Sequence, residues 1–184
     1  MRLSIFLGDI ADAPADAICT STNPRLSLVM GTGASVRARG GPSILAACSD
    51  VGPLPPGAVH VTPGFELPCK AVIHCVASDT AHRSSAAIVE SCVRNALAAA
   101  ETAGCATVAM PILGTGHARL PFTAAASVMI RTLLSASSSV AEVKLATNDE
   151  ERAEELRTLT GGAASIERSA NAEPEPTSFW FALR

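Results

Sequence analysis

Aromatic side chains are nearly missing from this chain. Its 184 residues include no tyrosine, one tryptophan and five phenylalanines. Three of those six rings, Phe179-Trp180-Phe181, fall in the last six positions. The body therefore keeps Phe6, Phe65 and Phe122, too few for a platform that stacks unpaired bases. Lysine occurs only at 70 and 144, and the net charge is −3. No basic stripe is present to neutralise a nucleic-acid backbone, which excludes phosphate-driven binding to a duplex. Glycine, proline or a charge breaks every apolar run within about ten residues, well short of the twenty or so that a membrane-spanning helix needs. The stretch from Met1 to Asp9 has too short an apolar core for a signal peptide and reads as a first strand, so a cytoplasmic protein is expected.

Several catalytic signatures are absent too. The chain has no Gly-x-x-x-x-Gly-Lys-Ser/Thr phosphate loop and no Gly-x-Ser-x-Gly nucleophile elbow. After Gly31-x-Gly33 the dinucleotide fingerprint fails, because Val36 stands where its third small residue belongs. Cys69, His74 and Cys75 with His60 do not have a standard zinc spacing, and residues 74 and 75 of a strand point to opposite faces. No metal and no cofactor is expected. The six cysteines, at 19, 48, 69, 75, 92 and 105, lie in apolar or alanine-rich contexts and read as buried free thiols rather than disulfide partners.

What is present is a globular composition, 48% hydrophobic and 17% charged, on a chain of one domain's length. Short β-rich runs alternate with alanine-rich helical stretches. Strands are expected at 2–7, 15–22, 58–62, 70–76, 106–111 and 140–146, with a further one possible at 165–168. Helices are expected at 34–39, 43–48, 84–103, 121–136 and 149–159. In the longest, Ile88, Cys92, Ala96 and Ala99 recur on one face, widened by Val89 and Val93. Asn148 is the expected cap of the last helix, and Pro121 its counterpart's first-turn residue. This alternation argues for an α/β sandwich with a mostly parallel sheet. Residues 1–168 are expected to form the folded domain. Residues 169–184 read as a flexible Pro/Glu linker followed by an aromatic tail, with Phe179-Trp180-Phe181 a candidate contact.

Two loops carry most of the functional signal. Gly31-Thr32-Gly33 and Gly114-Thr115-Gly116 each lie between an apolar run and a helix. Glycine lets backbone approach a ligand closely, and a helix N-terminus presents unpaired N–H groups with a positive partial charge. Both loops at the carboxyl edge of one sheet would make a diphosphate clamp. Asp9, at the end of the first strand, could accept from an exocyclic amine or simply cap a turn. Asn23, before Pro24, could donate to and accept from a ribose or simply form an Asx-turn. His117 could be a base or a solvated loop residue.

In order along the chain, these residues resemble the macrodomain family. Gly8-Asp9-Ile10 and Asp16-Ala17-Ile18 leading to Thr22-Asn23 are similar to its opening. Gly40-Gly41-Pro42 follows the first ligand loop as in the family. Gly57-x-x-x-x-Thr62-x-Gly64-x-x-Leu67-Pro68 and Val72-Ile73-His74 match its middle strands. Pro111-Ile112-Leu113-Gly114-Thr115-Gly116 with Leu120-Pro121 matches its second ligand loop. The resemblance spans about residues 2–160 and implies a three-layer α/β/α sandwich with a mixed, mostly parallel sheet of about six strands. It implies a pocket for ADP-ribose, free or on a mono-ADP-ribosylated protein. Asp9 would then meet the adenine amine and Ile10 the ring. Asn23 would meet the distal ribose. Gly31, Thr32 and Gly33 would form the first phosphate loop, and Gly114, Thr115 and Gly116 the second, with His117 and Ala118 beyond it.

The departures bear on catalysis. Hydrolytic members carry an aspartate where Gly33 stands, and no carboxylate occurs anywhere from Thr20 to Ser49. The first Asn of the family's Asn-x-x-Asn is Thr20. The ring that packs on the distal ribose is replaced by Ala118, and the one facing adenine by Thr147 or Asn148. The resemblance therefore implies a binder without efficient turnover, led by polar and backbone contacts and weaker than its aromatic-lined relatives. The alternative is an ADP-ribosyl hydrolase, or a phosphatase on ADP-ribose 1″-phosphate, relying on Asn23 and His117. The oligomeric state is left open.

Overall fold

Parallel pairing of buried strands organises the chain, as a computed structural model describing residues 1–171 shows. Seven strands form one sheet in the order β3-β4-β2-β5-β6-β1-β7. They are β1 (Arg2–Leu7), β2 (Ala17–Thr22), β3 (Val59–Pro63), β4 (Ala71–Val76), β5 (Thr107–Pro111), β6 (Glu142–Thr147) and β7 (Ile166–Arg168). Every pair is parallel except β3 with β4. Interior β4, next to edge strand β3, is buried along its whole length, as a strand covered on both faces must be.

Helices cover both faces. On one lie a 3-10 turn (Ile10–Asp12), α1 (Gly31–Gly40) and α2 (Pro42–Ser49), over a core that includes Phe6, Ile18, Leu28 and Ile44. On the other lie α3 (Ala86–Thr102), α4 (Phe122–Ser135) and α5 (Glu150–Leu159), over a larger core with Ile73, Met110, Met129 and Leu145. This is the expected α/β/α sandwich. The strand count is seven rather than about six, because β7 covers the open edge of β1. Ile5 N–H donates to Ser165 O and Ser169 N–H to Leu7 O, both at 2.8 Å.

Local chemistry sets the helix ends. Ser85 caps α3 by accepting from Ile88 N–H at 3.3 Å, and Gly104 leaves it at a φ of +65°. The buried stripe of α3 runs through Val89, Val93, Ala96 and Ala100, with Ile88 and Ala99 at its half-buried margin. Three expected boundaries shift. Asp149, not Asn148, caps α5, its carboxylate accepting from Arg152 N–H at 3.1 Å. Pro121 precedes α4 as its cap residue. Gly31-Thr32-Gly33 is not a loop before α1 but its first turn, after Met30.

At the amino edge of the sheet, Asp16 ties two strands together. Its carboxylate accepts from Ala106 N–H at 2.8 Å and Thr107 N–H at 3.1 Å, and pairs with Lys70 Nζ at 2.9 Å. The Lys70 ammonium bonded to it, with those N–H groups, holds its carboxyl below the usual carboxylate range against the opposing effect of burial. The carboxyl edge is left free to form a site.

All six cysteines are unpaired thiols, five of them buried and Cys69 partly so. His60 and His74 stack at 6.1 Å between ring centroids. Both nitrogens of His74 are engaged, Nδ1 with Thr20 Oγ1 and Nε2 with Thr62 Oγ1, each at 3.1 Å. Thr62 Oγ1 also lies 3.1 Å from Pro63 O. No helix among the described residues is long and apolar enough to cross a membrane. Phe179-Trp180-Phe181 lies outside the described residues, as does most of the linker before it.

Candidate ligand-binding site

The strand register decides where the site lies. Leu7 pairs with Thr147, Thr22 with Val76 and Pro111 with Ala146. The segments that follow these strands therefore emerge at one edge of the sheet, where ligands of α/β folds bind. They enclose a cleft of about 450 Å³. Asp9, Ile10, Asn23, Gly31, Thr32, Gly114, Thr115, Gly116, His117 and Ala118 all line it.

Gly33 does not line the cleft. It is buried, and a Cβ there would stand 3.3 Å from Leu28 Cα and Cδ2. Because α1 starts at Gly31, Gly33 turns back against the core and serves packing.

The two Gly-Thr-Gly segments meet across this cleft. The first N–H groups of α1 have no intrahelical acceptor. In the second segment, Gly114 takes a φ of +78°, and Leu120 N–H closes the turn onto Gly114 O at 3.0 Å. The Thr115 hydroxyl donates back to Ile112 O at 2.8 Å. Between the segments stands Ser21, at the end of β2. Its N–H donates to Thr32 Oγ1, and its hydroxyl oxygen accepts from Gly114 N–H, both at 3.4 Å.

Asp9 is heavily engaged. Its carboxylate accepts from Ala11 N–H at 3.0 Å, is straddled by Ser35 Oγ at 2.6 and 2.5 Å, and lies 3.7 Å from Arg39 Nη2. Arg39 also pairs with Asp12. The turn-capping reading of Asp9 therefore holds together with its position on the cleft. Asn23 forms the Asx-turn before Pro24, its Oδ1 accepting from Arg25 N–H at 3.0 Å and Ser27 N–H at 3.3 Å. Its carbonyl oxygen is spent, so only its amide N–H2 can serve a ligand, which corrects the two-way role expected from sequence.

The lining also includes residues outside the sequence motifs, among them Ser21, Ser35, His82, Phe122 and Arg152. His82, in the loop between β4 and α3 at a φ of +56°, meets His117 edge-to-face at 4.6 Å. Phe122 opens α4 and carries Arg152 over its ring at 4.7 Å. The cleft is thus not devoid of rings. Phe122 is the one signal the sequence offered, as an aromatic directly after Leu120-Pro121. His82 and Arg152 arrive only through tertiary packing.

Along the cleft the charges separate. Asp9 and Arg152 sit at the β1–β6 end, the histidine pair at the β2–β4 end, and backbone donors lie between. Among the described residues that line the β2–β4 end none is a carboxylate that could activate a water, and the bases there are the two imidazoles.

A family model described as Macro domain matches residues 19–129. A Macro domain-containing protein of Streptomyces coelicolor is 34% identical over 151 residues, 77% of this chain and 88% of that protein. An O-acetyl-ADP-ribose deacetylase of Enterobacter cloacae is 34% identical over 138 residues, 72% of this chain and 77% of the enzyme. Among solved structures, an Oceanobacillus iheyensis macrodomain mutant with ADPR superposes with a TM-score of 0.81 at 24% identity, covering 87% of this chain and 92% of that one.

Proposed function

The chain belongs to the Macro domain family, and from that premise we propose that its cleft binds ADP-ribose, free or as mono-ADP-ribose on a protein, without efficient turnover. One observation carries this reading: two Gly-Thr-Gly segments face a single cleft, linked through Ser21, with no carboxylate on the first of them. The adenine would lie at the Asp9–Ile10 end. The diphosphate would span the N–H groups of Gly31-Thr32 and of Thr115-Gly116, where a helix N-terminus favours an anion. The distal ribose would meet the Asn23 amide, His117 and Ala118.

Calorimetry with ADP-ribose tests this, with saturable heat expected and the absence of heat at millimolar ligand contradicting it. Residues 1–168 would be the binding unit, and the linker and aromatic tail would be dispensable for it. Truncation after Asn171 should leave affinity unchanged. Six unpaired thiols are in keeping with a reducing, cytoplasmic location.

A hydrolytic reading has its own support in the His82–His117 pair and in a relative named as an O-acetyl-ADP-ribose deacetylase. On that reading an imidazole takes the proton of an attacking water. Release of free ADP-ribose from an ester-linked substrate that falls at least tenfold in His117→Ala would favour it over simple binding.

A further inference from the structure

We propose that Arg152, seated on Phe122, is the residue that selects a purine-bearing ligand: its guanidinium forms the wall on which the base stacks. This rests on the ADP-ribose reading. Arg152 lies in the first turn of α5, directly after β6, and β6 pairs with β1 so that Thr147 stands beside Leu7. The arginine therefore belongs to the same end of the cleft as Asp9 and Ile10, which it lines with them.

Two contacts fix the guanidinium. Its central carbon sits 4.7 Å from the centroid of Phe122, and its Nε lies 3.5 Å from Asp149 Oδ2. Asp149 also caps α5 through Arg152 N–H, so one aspartate sets both the backbone and the side chain of this residue. The Asp149 carboxylate sets an opposite charge beside the guanidinium. What Arg152 retains is a flat, weakly hydrated face, the property that distinguishes arginine from lysine.

The rest of the cleft agrees with this assignment. Its anion-directed donors are backbone N–H groups in the middle, so a diphosphate does not require Arg152. At the Asp9 end two planar groups line the cleft, the Phe122 ring and the Arg152 guanidinium over it, while the imidazoles lie at the other end. A base held edge-on by Asp9 would need such a surface. A planar cation on a ring continues the stack, with cation–π attraction to each neighbour.

The test is a ligand ladder on the full chain: ADP-ribose and ADP by calorimetry, and adenosine by ligand-observed NMR. Arg152→Ala should weaken all three by the same factor, about fivefold to thirtyfold, with little dependence on salt. Arg152→Lys should recover little, because it restores charge without a plane. Phe122→Leu keeps an apolar filler and should weaken all three by a smaller common factor. A loss confined to ADP and ADP-ribose, restored by lysine and steeper at low salt, would mean a phosphate contact and overturn the proposal. Unchanged affinity for all three in Arg152→Ala would overturn it too, while leaving the ADP-ribose reading intact. Wild-type protein that binds none of them would instead defeat the ADP-ribose reading on which the proposal rests.

Discussion

Ser21 accepts the Gly114 N–H on its hydroxyl oxygen at 3.4 Å, while its own N–H reaches the Thr32 hydroxyl at the same distance. One small side chain at the end of β2 thus spaces the two glycine segments that face the cleft. A diphosphate clamp works only if its two sides are held apart by the right amount before ligand arrives. Ser21→Ala should release Gly114 and weaken ADP-ribose binding about threefold to tenfold, in line with about 1 kcal/mol for one neutral hydrogen bond. The melting temperature should move by only a few degrees. Paired calorimetry and thermal melts would separate these effects.

Glycines 114 and 116 should respond in opposite ways. A Cβ on Gly116 meets nothing within 4 Å, so Gly116→Glu should fold normally and abolish ADP-ribose binding by placing a carboxylate where the proposed binding mode puts the phosphates. A Cβ on Gly114 would stand 2.5 Å from Ser84 Oγ, at a φ of +78°. Gly114→Ala should therefore cost about 1–2 kcal/mol of stability. Denaturant melts of both variants, beside ligand titrations, check the pair.

Asp9 joins fold and site, so its variants should show both effects. Asp9→Ala removes the acceptor for Ala11 N–H and Ser35 Oγ, costing about 1 kcal/mol of stability as a lost cap. It should also cost about 1.5–3 kcal/mol of ADP-ribose binding, as a lost charged hydrogen bond to the adenine amine. An equal loss for a ligand that lacks the amine, inosine diphosphate ribose, would contradict that assignment.

How much of this was legible in the sequence differs by level. The number of strands and the helix faces could be read because burial leaves a pattern: β4 is buried throughout and apolar but for His74, and Val89, Val93 and Ala96 face one core. The glycine segments could be read because their conformation demands that residue. Gly33 misled because a glycine needed for close packing on Leu28 looks the same in sequence as one needed for a ligand. His82 and Arg152 were illegible for another reason. Each reaches the cleft by a contact between segments far apart in the chain, His82 with His117 and Arg152 with Phe122. The seventh strand, Ile166–Arg168, stands where a further strand is possible from sequence at 165–168, although three residues are too few for an alternating pattern.

His74 makes stability depend on pH. Burial first, then the neighbouring His60 charge, pushes its pKa down to about 4, against about 6.5 in an unfolded chain. The unfolded state therefore takes up the proton first on acidification. The contribution of His74 is fully present above about pH 6.5 and is lost as pH falls toward 4, a span worth about 3 kcal/mol. His74→Gln, which keeps a neutral donor and acceptor between Thr20 and Thr62, should show a shallower fall in melting temperature from pH 6.5 to 4.5. Parallel slopes for the two proteins would contradict the assignment.

The central claim is that a cleft built from two glycine segments holds ADP-ribose. Titrating ADP-ribose into the full chain by calorimetry tests it most directly, with Gly116→Glu as the folded control. Saturable heat with one ligand per chain is expected for the wild type and none for the variant. No heat from folded wild-type protein at millimolar ADP-ribose, or equal heat from both proteins, would contradict it.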